Sequence, residues 1–178
     1  MLFRSRTGTS ARPGERASAT LLRAALARWS AQIAEDTQTL GLIAPLGMST
    51  LRTLSGPQAD TFVQTDLTPV SVWAALRSGG KEATTMALNA IAASRDAEVR
   101  NTLIRALAAA KDDASQVLIR EFALSGSLRA REMLNWLREE FADPSTRGGT
   151  WSWFRKSYPA LAERMGKAAE TQIVRAHV

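Results

Sequence analysis

Few residues in this chain have types and spacings that could do chemistry, and none falls into a catalytic pattern. Two carboxylate pairs come first, Asp112-Asp113 and Glu139-Glu140. Paired carboxylates serve as general acid and base when they are buried together. Asp112-Asp113 stands where a helical pattern opens, a place acids favour through the helix dipole. Glu139-Glu140 stands at the end of another helix, on its polar side. Both pairs therefore read as structural. The one histidine, His177, is next to the last residue. With no cysteine and no His-Glu-x-x-His, the sequence offers no zinc motif. A Ser-His-Asp arrangement lacks its base, and no Gly-x-Ser-x-Gly elbow exists. Gly79-Gly80-Lys81 echoes a phosphate loop, but it follows a helical pattern rather than a strand and reads as a helix stop. No catalytic, cofactor-binding or metal residue is assigned.

The remaining candidates are aromatic. Three of the five tryptophans lie between Leu128 and Val178. Trp151 and Trp153 are two apart and face different sides of a helix, whereas Trp151 and Phe154 share one. Trp136 lies on the helix before. Packing of Trp136, Trp151 and Phe154 between the last helices is the plainer expectation. The sharper one is that an aromatic lines a groove for a ligand or partner.

The elements that must position these residues are helical throughout. The chain has 178 residues, 45% of them hydrophobic, enough for a packed core. Alanine, leucine, arginine and glutamate dominate, and no β-type alternation appears. The expected fold is all-α, an irregular superhelix of antiparallel helical hairpins of HEAT or ARM type. Residues 1–16 read as a flexible N-terminal segment without a secretory apolar core. Residues 17–178 read as a single solenoid-like domain.

In chain order, Leu21, Leu22, Ala25, Leu26, Trp29 and Ile33 recur at helical steps and make one apolar stripe, with Arg23 and Arg28 off it. Residues 35–66 are expected to be irregular, because Gly41, Pro45, Gly47, Gly56 and Pro57 break long helices. Thr68-Pro69 opens the next helix, and Gly79-Gly80 ends it. Asp96 caps a helix from Ala97 to about Lys111, Asp112-Asp113 starts another, and Ser127 caps Leu128–Phe141. Asp143-Pro144 is a break, and Tyr158-Pro159 begins a further helix. From Leu67 on, pairs of helices occupy about 30 residues each, the rhythm of stacked hairpins.

The net charge of +6 permits nucleic-acid binding, but arginines interleave with acids, as in Arg138-Glu139-Glu140, and read as a solvated surface. No apolar run is long enough to span a membrane. Absence of cysteine points to a reducing, cytoplasmic setting.

Three blocks carry a family resemblance. They are Ser125-Gly-Ser-Leu-Arg-Ala-Arg-Glu132, Asp143-Pro-Ser-Thr-Arg147, and Trp151-Ser-Trp-Phe-Arg-Lys-Ser-Tyr-Pro-Ala-Leu-Ala-Glu-Arg-Met-Gly166. Together they resemble the ERAP1-like C-terminal helical domain of M1-family zinc aminopeptidases. Trp151, Phe154, Lys156, Leu161, Arg164 and Gly166 fit the family's closing block, and Tyr158-Pro159 departs from its usual Trp-Asp. The pattern is good from Leu67 to Met165 and is lost from Ala31 to Gln64.

The resemblance implies a bowl of helices that closes over a catalytic domain and contacts peptide. Zinc is expected only in that catalytic domain, whose motifs this chain lacks. Trp136, Trp151, Phe154, Leu161 and Arg164 are the family-signature packing residues. The chain is expected to be a fragment or stand-alone copy of this domain, inactive alone. The alternative is a HEAT-like protein-interaction scaffold with no peptidase link.

Overall fold

A computed structural model describes residue 14, residues 16–57, residue 59 and residues 62–177, with side chains as far as Glu163. The N-terminal segment expected at 1–16 lies almost wholly outside these residues. Every regular element among them is helical: α1 Ala17–Arg28, α2 Thr37–Leu54, α3 Thr68–Ala93, α4 Ala97–Ala106, α5 Asp113–Leu124, α6 Ala130–Ala142 and α7 Pro144–His177. A π-helical turn, Trp29–Ile33, extends α1, and a 3-10 turn, Leu107–Ala109, extends α4. The protein is all-α, as its composition requires.

The stretch 35–66 holds the main surprise. Instead of an irregular chain throughout, α2 runs unbroken for 18 residues through Gly41, Pro45 and Gly47. Asp36 starts it by accepting the Thr39 backbone N–H at 3.1 Å. That bond and one from the Thr39 hydroxyl hold the Asp36 carboxyl below its usual pKa. Gly47 is a packing residue, not a breaker. A Cβ there would stand 1.9 Å from the Ser71 carbonyl oxygen on α3 and 2.8 Å from the Ala75 Cβ. The glycine lets two helix backbones approach closely. Packing of Ile43, Leu51 and Leu54 then offsets the cost of Pro45.

On α1 the buried stripe is not the apolar one. Arg23, Ala27 and Ala31 face inward, while Leu21, Leu22, Trp29 and Ile33 are 71%, 53%, 60% and 72% exposed. Periodicity fixes how many stripes a helix has, not which one finds a neighbour. Here the small Ala27 and Ala31 sit against Ile43, Leu67, Val70 and Ala74. Arg23 is accommodated because its Nη1 reaches the Asp66 carboxylate at 3.1 Å.

Helix α3 opens at Thr68-Pro69, but Leu67 takes the cap position and the Thr68 hydroxyl accepts the Thr65 N–H instead of capping. Gly80 interrupts the helix with φ 53 and ψ −143, a conformation that favours glycine. Asp96 caps α4 through the N–H groups of Glu98 and Val99, at 2.7 and 3.2 Å. Asp112 caps α5 through the Ser115 N–H at 2.9 Å. Helix α4 stops at Ala106, short of Lys111. Ser127 does not cap α6; that helix starts two residues later, where Glu132 accepts the Arg129 N–H at 2.9 Å.

No helix begins at Tyr158-Pro159. Helix α7 passes through Pro159 without a break. Phe154 and Leu161, on either side of it, are both buried, so packing holds the backbone helical past a residue that disfavours it. The main core joins Leu76 and Ile91 of α3, Leu103 of α4, Ile119 of α5, Trp136 of α6 and Phe154 of α7.

Candidate functional site

The Asp96 cap places Arg100 one turn into α4, with its side chain pointing inward. Arg100 is buried and forms a fork with Glu132 of α6: Nε to Oε1 at 2.8 Å and Nη2 to Oε2 at 2.8 Å. Nη2 also donates to the Ser127 carbonyl at 3.2 Å, and Nη1 to that of Ile91. One guanidinium thus ties α4 to the end of α3, the 125–129 turn and α6. Burial alone would raise the Glu132 carboxyl pKa, but the bonds from Arg100 and the Arg129 N–H outweigh it and hold the group below its usual value. The hydrogen bond to Glu132 raises that of Arg100. Both partners stay charged.

Above this clamp, α4 and α6 leave a groove of about 580 Å³. Two bonds cross it. Asn135 Nδ2 donates to Asn101 Oδ1 at 2.9 Å, and Arg105 Nε donates to Glu139 Oε1 at 2.8 Å. The remaining lining is charged, with Ala97 the one apolar contributor. Glu132 belongs to Arg100 and Glu139 to Arg105. Arg129, Arg131 and Arg138 are exposed; Arg129 also acts on the Glu132 carboxylate through its charge, and Glu98 is the remaining acid of the lining. A groove so polar does not suit an apolar cofactor; it suits a charged chain lying along it.

No aromatic side chain lines this groove. Trp136 is fully buried and meets Trp153 edge-on at 5.5 Å. Trp151 stacks on Phe154 at 5.9 Å and meets Phe141 edge-on at 6.2 Å. Phe154 in turn contacts Tyr158 at 5.8 Å. The α6–α7 junction is an aromatic seam.

Glu140, read above as a surface carboxylate, is fully buried inside that seam. Its Oε1 accepts from Gln116 Nε2 at 3.1 Å and from Trp136 Nε1 at 3.3 Å, and its Oε2 accepts from the Thr150 hydroxyl at 2.9 Å. No ion pair to Glu140 occurs among the described residues. Burial therefore pushes its carboxyl pKa up, against the pull of those donors and of the Thr146 hydroxyl. The carboxylate knits α5, α6 and α7 and faces no solvent in which a substrate could reach it. Asp112 and Asp113 divide as expected at a helix start, one capping and one in the first turn.

The second surface feature is the outer side of α1. Leu22 and Trp29 lie seven residues apart on one helix face, and Leu21 and Ile33 widen it. Exposed apolar side chains grouped in this way mark a contact surface.

A family model described as the ERAP1-like C-terminal domain matches residues 2–177. The chain belongs to that family. The ERAP1-like domain is the non-catalytic C-terminal part of M1-type aminopeptidases. Searches of curated proteins and of solved structures returned no significant match. The match runs through 31–64, where the sequence pattern had seemed lost and where α2 now stands.

Of the residues expected to carry the family signature, Trp136, Phe154 and Leu161 lie in the core and Trp151 is packed against it. The Arg164 side chain lies outside the described residues. Trp153, not singled out by the signature, is the residue that meets Trp136. Among the described residues no group of three or more His, Cys, Asp and Glu stands together to hold a metal. No helix among them is long and apolar enough to cross a membrane.

Proposed function

We propose that this ERAP1-like domain docks against the zinc-bearing catalytic region of an M1-type aminopeptidase and closes one side of its peptide chamber. The observation that carries the reading is the apolar outer face of α1, formed by Leu21, Leu22, Trp29 and Ile33 on a domain of this family. Burying such side chains contributes about 1.5–3 kcal/mol each, and an interface supplies that burial. The groove between α4 and α6 is the surface we assign to peptide contact. The helices then form one rim of an irregular, HEAT-like superhelix. Zinc and the bond-breaking step belong to the catalytic region, so the chain alone has no peptidase activity. Its lack of cysteine fits a reducing, cytoplasmic setting.

Size-exclusion chromatography of the chain with an M1 catalytic region tests the docking. Co-elution is expected, and Leu22→Ser with Trp29→Ser should abolish it. Co-elution unchanged by that pair would remove α1 from the interface. Absence of any complex, with capture of a protein unrelated to peptidases, would favour the scaffold alternative.

A further inference from the structure

The geometry points to an acidic polypeptide segment, in a polyproline-type extended conformation with carboxylates three residues apart, as the occupant of the α4–α6 groove. This rests on the assignment of the groove to peptide contact and narrows it to a class of peptide. Arg131, Asn135 and Arg138 recur at i, i+4 and i+7, so they share one face of α6. The two arginines are separated along the axis by about 10 Å, at 1.5 Å per residue. A polyproline II chain repeats every three residues with a rise of about 3.1 Å each, so side chains at i and i+3 emerge on one side about 9 Å apart. Carboxylates at those positions meet Arg131 and Arg138 together. A flat strand puts i and i+3 on opposite sides and cannot.

Charge and hydrogen bonding agree with that match. Glu132 and Glu139 are already taken by Arg100 and Arg105, and Arg129 also acts on Glu132, which leaves Arg131 and Arg138 with no ion pair among the described residues. Between the arginines, the Asn101–Asn135 bond uses one amide group from each residue. Asn101 Nδ2 remains for an acceptor of the ligand, and Asn135 Oδ1 for a donor. A polyproline-type backbone makes no internal hydrogen bonds and offers both. Guanidinium groups bind carboxylates in a fork, so the arginines supply orientation as well as attraction. A nucleic acid is the poorer fit. The groove offers no aromatic platform for bases, and Glu98 and Glu139 interrupt any track of phosphates.

The test is a fluorescence-anisotropy titration of the full chain with a labelled Ala-Glu-Pro-Pro-Glu-Ala peptide at low and physiological salt. Replacing both glutamates of the peptide by glutamine should weaken binding at least tenfold, and so should Arg131→Ala with Arg138→Ala. Arg155→Ala, an exposed arginine on α7, should change it less than twofold. All three substituted side chains are exposed, and an unchanged thermal midpoint confirms folding. Equal affinity for the glutamine peptide, lost in Asn101→Ala with Asn135→Ala, would overturn the acidic preference and leave peptide contact standing. No binding of either peptide would overturn both. Tighter binding of a labelled oligonucleotide that displaces the peptide would replace this inference with a nucleic-acid site.

Discussion

Arg100 and Glu132, 32 residues apart, meet through two parallel bonds of 2.8 Å on the inner side of the α4–α6 groove. Breaking a buried pair strands the partner's charge and costs about 3–5 kcal/mol. Arg100→Ala also frees the Ile91 and Ser127 carbonyls. A loss in that range is expected by urea denaturation, with Arg100→Lys losing less but still destabilising, because an ammonium cannot reproduce the fork. A loss under 1 kcal/mol for Arg100→Ala would show that the pair does not hold the two helices together.

Glu140 makes a prediction of opposite sense. Its carboxyl pKa is raised in the folded chain, so the stabilisation it brings is full below the unfolded value of about 4.5 and is lost as pH rises through the folded value. Glu140→Gln removes the charge and keeps an acceptor for Gln116 and Trp136. It should equal or exceed the native chain in stability at pH 8, and the gap should narrow toward pH 4.5. Glu140→Ala should lose stability at both values, since each buried donor left unsatisfied costs about 1–3 kcal/mol. A Gln variant much weaker at pH 8 would refute this account.

Asp143 dominates the acid side. Burial favours its neutral form, but Lys111 and both the hydroxyl and N–H of Ser145 pull its pKa down to about 2. Its stabilisation is present above the unfolded value of 3.8 and is lost as pH falls from there toward 2. Asp143→Asn should therefore flatten the acid limb of a plot of thermal midpoint against pH, leaving the neutral-to-basic limb to Glu140.

Two glycines of α2 should behave in opposite ways. Gly47→Ala sets a Cβ against the Ser71 backbone and should cost about 3 kcal/mol. Gly41 has nothing within 4 Å of its Cβ position, so Gly41→Ala should gain about 0.5–1 kcal/mol. Thermal melts of both variants decide it. Similar effects from the two would mean that α2 does not pack on α3 as described.

The caps at Asp96 and Asp112 and the opening at Thr68-Pro69 were legible, because they depend on residues within one turn. Gly47 and Pro159 were misread. Their local preference is to break helices, and it is overruled by α3 in one case and by the burial of Phe154 and Leu161 in the other. Glu140 looked like a surface acid because nothing nearby in sequence announces Gln116 and Thr150 as its partners. The groove was invisible for the same reason. It depends on the register of two helices, recorded in the pairs Asn101–Asn135 and Arg105–Glu139, both 34 residues apart. The aromatic seam was half legible: its members were named, but the contact of Trp153 with Trp136 was not.

The exposed face of α1 also has an optical consequence. Of the five tryptophans, Trp136 is fully buried and Trp73, Trp151 and Trp153 are half-buried, whereas Trp29 is 60% exposed. Red-shifted emission and quenching by iodide should therefore come chiefly from one indole. If a partner settles on that face, the spectrum should shift to the blue and the quenchable fraction should fall, with no label added. Trp29→Phe supplies the blank.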